Sequence, residues 1–231
     1  MDGLFLDWFH ASVASTPDAP AVVCEDVQLT YRELADRSAS VAARLNVHED
    51  ACVLLYAERS VELVVGMLGI LRAGAAFVPM DPANPTARLR SMAQALKPAA
   101  IVRTPELDDL GVPSVVLDGS VGRCEPVAPH ANALAYAIFT SGSTGAPKPV
   151  GIEHRNVANY VRGVVQRFDL PRGGRYAIVS TFAADLGYTM VFPALALGGA
   201  LHVISRARSA DPAALGEYMT AQRIDCLNVF F

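Results

Sequence analysis

An α/β fold, layered helix/sheet/helix with largely parallel sheets, is predicted by three features of this 231-residue chain. Apolar runs of strand length alternate with stretches of helical period along the sequence. Several runs are apolar without a break, the pattern of strands covered on both faces. The hydrophobic content of 52% is that of a globular chain, long enough to bury a core without disulfides or metal.

Taken in order, Leu4, Leu6, Trp8, Phe9 and Val13 fall at helical spacing ahead of Pro17. Residues 21–24 and 27–29 read as short strands around a turn at Glu25-Asp26. Thr30-Tyr31-Arg32-Glu33 has the form of a capping box opening a helix to about Leu45. Cys52-Val53-Leu54-Leu55-Tyr56 is a buried strand. A helix follows from Ser60 to Arg72, with Gly74 where a C-terminal cap belongs. After the strand at 76–79, Asn84 is the expected cap and Pro85 the first position of a helix ending near Lys97. Two more strands, at 99–102 and 114–117, precede a loop between Asp118 and Asn132. Residues 134–139 then form a strand that delivers the chain into a glycine-rich stretch. Beyond it come a short strand at 150–152, a helix from Asn156 to Phe168 and a strand at 176–179. A helical stretch from Asp185 to Leu197 should kink at Pro193. A strand at 201–204, a helix capped by Asp211-Pro212 and a final strand from Ile224 to Phe231 complete the pattern.

Composition narrows the partners. Nineteen basic against 23 acidic residues leave a net charge of -4, with no electrostatic footprint for nucleic acid or an anionic membrane. Cys24, Cys52, Cys124 and Cys226 are far apart, so neither zinc nor a disulfide framework is written here, and a reducing cytoplasmic setting is expected. His10, His48, His130 and His202 share no ligand spacing, so no metal site follows from them. The N-terminus lacks a basic region and its apolar stretch is broken by Asp7, unlike a signal peptide. The apolar run from Met190 to Ile204 is too short to span a bilayer, and a soluble chain is expected.

The chemistry concentrates in Phe139-Thr140-Ser141-Gly142-Ser143-Thr144-Gly145-Ala146-Pro147-Lys148. Glycines let backbone N–H groups approach an anion, hydroxyls add donors and the lysine adds positive charge. A plain Gly/Ser/Thr loop has the same composition. It is no Walker A loop, since Pro147 precedes Lys148 and Pro149 follows it. As a polyphosphate cradle it would lie at the C-terminal end of a strand, where ligands bind in open α/β sheets.

Three ordered landmarks carry a family resemblance. Leu29-Thr30-Tyr31-Arg32-Glu33-Leu34 is similar to an LTYxEL element, residues 71–81 to an LKAGxAYVPID segment, and Phe139 to Lys148 to a TSGSTGxPKG loop. With these the chain resembles the N-terminal part of an amino-acid adenylation domain of a nonribosomal peptide synthetase, from the adenylate-forming superfamily that includes acyl-CoA ligases and luciferases. The resemblance implies ATP-dependent activation of a carboxylic or amino acid as an acyl-adenylate, with release of pyrophosphate. It further implies Mg2+, with ligands largely outside this chain, and transfer to phosphopantetheine on a downstream carrier-protein domain. Thr140, Ser141, Gly142, Ser143, Thr144 and Gly145 resemble the loop that holds the β- and γ-phosphates, and Lys148 its basic residue. Thr144 and Lys148 become the candidate catalytic residues. Donors there would stabilise charge on the leaving pyrophosphate.

The resemblance also implies a layout: residues 1–231 as an incomplete N-terminal core, with 51–170 carrying the phosphate loop and 1–50 plus 171–231 the acyl side. The C-terminal subdomain would be absent and the chain alone inactive. An acyl-CoA or fatty-acyl ligase, and a non-catalytic module keeping the fold, remain as alternative readings.

Departures from the pattern bear on the substrate. Pro149 stands where the family has Gly, removing a donor and fixing φ. Thr181-Phe182-Ala183-Ala184-Asp185 resembles the family's F-D-x-S element, giving Phe182, Ala183 and Asp185 as candidate substrate-binding residues. Ala183 stands where an aspartate ordinarily pairs with an α-ammonium, so the expected substrate lacks one: a hydroxy, keto, aryl or β-amino acid. Asp185 would be turned about 200° from Ala183 on a helix, so it substitutes only if the backbone is irregular there. Otherwise it favours the start of the following helix through capping and its dipole. Glu153-His154 is expected to cap or pack, not to carry acid–base chemistry.

Overall fold

The computed structural model describes residues 1–124, 127–140 and 148–228. In chain order the elements are α1 (Phe5–Ser15), β1 (Pro20–Cys24), β2 (Val27–Thr30), α2 (Tyr31–Arg44), β3 (Cys52–Tyr56), α3 (Val61–Arg72), β4 (Ala76–Met80) and α4 (Thr86–Leu96). There follow β5 (Ala100–Arg103), β6 (Ser114–Val116), β7 (Leu134–Thr140), β8 (Lys148–Glu153), α5 (His154–Phe168) and β9 (Arg175–Ile178). A 3-10 turn (Asp185–Gly187), α6 (Tyr188–Ala196), β10 (Ala200–Val203), α7 (Arg206–Ser209), α8 (Pro212–Ala221) and β11 (Cys226–Asn228) complete it. Among the described residues no helix is long and apolar enough to cross a membrane.

The chain divides into two compact units. The first holds residues 1–35, 59–61 and the chain from Val157 on; the second holds 36–58 and 62–156, so the division falls inside α2, after the first residue of α3 and inside α5.

The second unit is built on a sheet of order β6-β5-β3-β4-β7-β8. Its strands run parallel except β8, which returns antiparallel to β7. Successive side chains of a strand face opposite ways, and β3 uses both faces. Leu54 joins Val78, Ile101, Leu89 and Met92 in a cluster under α4, while Leu55 meets α3 at Gly66. Both faces are covered, so the run 52–56 is apolar without alternation. Helices α2 and α3 approach closely because Gly69 has no side chain: a Cβ there would stand 2.5 Å from Val41 Cβ. Arg72, buried at the end of α3, donates to Ser38 Oγ at 2.9 Å.

The first unit carries the sheet β11-β9-β10-β1-β2, parallel except for the β1–β2 hairpin. On one side Phe5 of α1 meets Phe192 of α6 edge-on at 4.8 Å. The Tyr31 hydroxyl donates to the Gly199 carbonyl at 2.8 Å there. A separate cluster joins Tyr218 of α8 to Ala177 and Ile204. His202 of β10 meets the Tyr218 hydroxyl at 2.8 Å, and the Arg208 guanidinium lies over the Tyr218 ring.

The capping box forms as its sequence predicts. The Thr30 N–H reaches Glu33 Oε2 at 2.8 Å and the Glu33 N–H reaches Thr30 Oγ1 at 3.2 Å. Thr30→Ala is therefore expected to lower the urea-unfolding free energy by about 1 kcal/mol, and an unchanged unfolding midpoint would show the box to be ornamental. Several boundaries differ from expectation: β8 starts at Lys148, α5 at His154 and β11 at Cys226. Helix α4 starts after Pro85, not after Asn84, whose amide is already donating to the Asp81 carbonyl at 3.1 Å. Positions 185–197 form a 3-10 turn and then α6, rather than one helix, with Pro193 tolerated inside α6. The short α7 carries no periodic signal in the sequence.

Candidate functional site

The glycine-rich stretch is held at both ends by a β-ladder. Strand β7 runs parallel to β4 and pairs antiparallel with β8, the register joining Phe139 to Pro149 and Thr140 to Lys148. Thr140 Oγ1 donates to the Lys148 carbonyl at 3.3 Å. The ends of the loop are thereby pinned together at the carboxyl edge of the parallel strands. Ser141, Gly142, Ser143, Thr144 and Gly145 lie outside the described residues. Thr140 and Lys148 are exposed, and the Lys148 ammonium meets no carboxylate among the described residues. An unspent cation beside a strand end suits a polyanion. Pro149 costs the sheet nothing, because β8 is an edge strand and proline is tolerated at an edge.

Next to the hairpin, Glu153 forms an ion pair with Arg155, and its backbone N–H is capped by Asn156 Oδ1 at 3.1 Å. His154 is buried, and burial pulls its imidazole down to about 4 despite the nearby Asp50 and Glu49 carboxylates. Its Nε2 has no hydrogen-bond partner among the described residues. A neutral, enclosed ring packs; it does not exchange protons with a ligand.

Residues 181–187 follow β9 in the first unit. Phe182 is 3% exposed, with its ring edge-on to Tyr188 at 5.9 Å, so it serves as the floor of the segment. The Tyr188 hydroxyl donates to the Phe182 carbonyl at 2.7 Å, and the Ala183 N–H to Thr181 Oγ1 at 3.1 Å. Ala183 is half-buried and Asp185 exposed. Ala184 is extended, with φ -131° and ψ 142°, and no side chain caps the 3-10 turn or α6. Asp185 opens the 3-10 turn without capping it. The backbone from Ala184 to Gly187 is thus irregular, not α-helical. Gly187 is required for space, not for its φ of -62°: a Cβ would collide with Ile178 and stand 2.8 Å from Ser180 Oγ.

Two residues that fix this segment were not legible in the sequence. Asn228, at the end of β11, donates its amide to the Leu186 carbonyl at 3.2 Å, and Tyr188 ties down Phe182. No spacing or motif marks either one, since their partners are backbone carbonyls brought near only by the fold.

Among the described residues no group of three or more His, Cys, Asp or Glu side chains could hold a metal ion.

A family model described as AMP-binding enzyme matches residues 9–230. Surfactin synthase subunit 2 of Bacillus subtilis (strain 168) is 34% identical over 231 residues, covering 94% of this chain and 6% of that protein. Bacitracin synthase 3 of Bacillus licheniformis is 37% identical over 206 residues, covering 84% of this chain and 3% of its own length. The chain thus spans only a small fraction of these curated relatives. Among solved structures, the nonribosomal peptide synthetase FmoA3 in an AMPPNP-bound form superposes with a TM-score of 0.87 at 29% identity, over 96% of this chain and 25% of that one. Its α-methyl-L-serine-AMP-bound form gives 0.87 at 28% identity. With the match spanning nearly all of its length, the chain belongs to the AMP-binding enzyme family.

Proposed function

We propose that this chain is the N-terminal core of an adenylation domain that activates a carboxylic or amino acid with ATP, releasing pyrophosphate, for loading onto the phosphopantetheine thiol of a carrier-protein domain. The observation that carries the reading is the hairpin pairing Thr140 with Lys148 at the carboxyl edge of a parallel sheet. It brackets a stretch of hydroxyls and glycines suited to phosphate oxygens.

In this role Lys148, Thr140, Ser141, Gly142, Ser143, Thr144 and Gly145 hold the β- and γ-phosphates. Thr144 and Lys148 stabilise the charge that grows on the leaving pyrophosphate. ATP, when bound, supplies the electrophilic α-phosphorus and the leaving group. The described residues offer no donor set for Mg2+, so no step is assigned to it. Phe182 floors the acid side, and Ala183 and Asp185 line it. Residues 51–170 serve the phosphate side, and 1–50 plus 171–231 the acid side. The balanced charge fits a cytoplasmic enzyme without nucleic-acid or membrane partners.

Hydroxylamine trapping tests this reading. The intact, full-length protein that carries this core, given ATP and a panel of carboxylic acids, should yield a hydroxamate with at least one of them. Hydroxamate absent with every acid would refute the proposal.

A further inference from the structure

We infer that Asp50 is a positioning residue: its carboxylate sets where the β7–β8 hairpin sits on the second sheet, and so the place from which Thr140 and Lys148 meet the polyphosphate of ATP. The assignment rests on the adenylation reading. Strand packing alone leaves the hairpin loosely specified, because register is fixed firmly where one face of a strand is buried and weakly where both faces are polar or exposed. The first four residues of β8, Lys148 to Gly151, are all exposed. Towards β4 the register of β7 records a single pair, Phe77 with Tyr136, and a bulge between Leu134 and Tyr136 puts one extra residue of β7 opposite β8.

Side chains hold the base of the hairpin instead. Leu134 opens β7, and its N–H donates to Asp50 Oδ1 at 2.6 Å. Glu153 stands opposite Leu134 at the end of β8, and its N–H donates to Asn156 Oδ1 at 3.1 Å. Beside Asp50, Glu49 Oε1 accepts the His130 N–H at 3.3 Å. The Ala131 and Ala133 carbonyls accept the N–H groups of Arg155 and His154 at 2.8 and 2.9 Å, which ties the two ends of the hairpin to each other. Asp50 lies two residues ahead of β3, so its bond joins the hairpin to the parallel strands.

The backbone at Asp50 fits this task. Its φ of 63° lies in the left-handed region, which aspartate and asparagine tolerate better than most side chains. Glycine would serve the turn alone; the carboxylate serves Leu134. From Leu134 to Thr140 the strand runs about 20 Å, and β7 and β8 are paired along that length, within the second unit. A ladder paired in this way carries a shift at its base to its far end, where Thr140 and Lys148 face each other. A displacement of about 1 Å in a positioned group costs up to about 100-fold in rate.

The test is ATP–pyrophosphate exchange, with a panel of carboxylic acids, by the intact, full-length protein that carries this core and by four variants: Asp50→Gly, Asp50→Asn, Lys148→Ala, and Asp50→Gly combined with Lys148→Ala. Asp50 is exposed and glycine suits its φ, so Asp50→Gly removes the carboxylate without straining the turn. It should lower kcat/KM for ATP about 10- to 100-fold and leave KM for the acid unchanged. Asparagine keeps both the acceptor and the left-handed backbone, so Asp50→Asn should retain most of the parent rate. Because Asp50 acts through the placing of Lys148, the loss in the double variant should fall well short of the product of the two single losses. Losses that multiply would overturn the assignment while leaving adenylation intact. So would Asp50→Gly equal to the parent, a loss shared alike by ATP and acid, or Asp50→Asn as slow as Asp50→Gly. No exchange by the parent with any acid would overturn the adenylation reading and this assignment with it.

Discussion

Gly199→Ala is expected to destabilise the first unit by about 2–3 kcal/mol, a large effect for a single added methyl group. Two glycines follow α6 for different reasons. Gly198 has φ 72° and turns the chain in the left-handed region. Gly199 needs no such freedom; it needs room. A Cβ there would stand 2.6 Å from the Gly174 carbonyl oxygen and 2.8 Å from the Tyr176 ring. The first of these is backbone immediately ahead of β9 and cannot swing aside. Moving Gly199 instead would disturb its own carbonyl, which accepts the Tyr31 hydroxyl at 2.8 Å. Urea unfolding of the variant measures the effect, and a loss under about 0.5 kcal/mol, the ordinary range of a harmless substitution, would show that the β9–β10 spacing is looser than these contacts imply.

Acidification should destabilise both units before their carboxylates titrate. Burial holds His154 of the second unit and His202 of the first down to about 4, against an ordinary 6.5; for His202 the Arg175 charge adds to burial. Between those limits the unfolded chain binds protons that the native state does not. Stability is full above about 6.5 and falls as pH drops toward 4. From pH 7 to pH 5 each unit should lose about 2 kcal/mol through its depressed imidazole, His202 in the first and His154 in the second. Equilibrium unfolding at pH 7, 6 and 5 follows this directly, and a flat profile across that range would mean the rings are hydrated.

Much of the fold was legible because local chemistry and long-range packing agree. The Thr30/Glu33 capping box, the Asp211 cap whose carboxylate accepts from Ala213 and Ala214, and the unbroken apolar run of β3 each announce their structure. Other features depend on partners distant in sequence or on local bonds that composition does not reveal. Asn84 reads as a cap until its amide is seen to serve the Asp81 carbonyl. The split of the chain into two sheets leaves no mark in periodicity, since strands of both have the same apolar character. On the site, the hairpin ends at Thr140 and Lys148 follow from the strand flanking the glycines. Asp185 is different: its freedom from capping depends on the extended backbone at Ala184, which a helical spacing from 185 to 197 conceals.

The central claim, that the Thr140–Lys148 hairpin presents a pyrophosphate-holding loop, is tested most directly by ATP–pyrophosphate exchange with the intact protein and its Lys148→Ala variant. Exchange should require an added acid and fall roughly 100-fold in the variant, with unfolding unchanged because Lys148 is exposed and its ammonium meets no carboxylate among the described residues. Exchange that proceeds equally well without the lysine would contradict the claim.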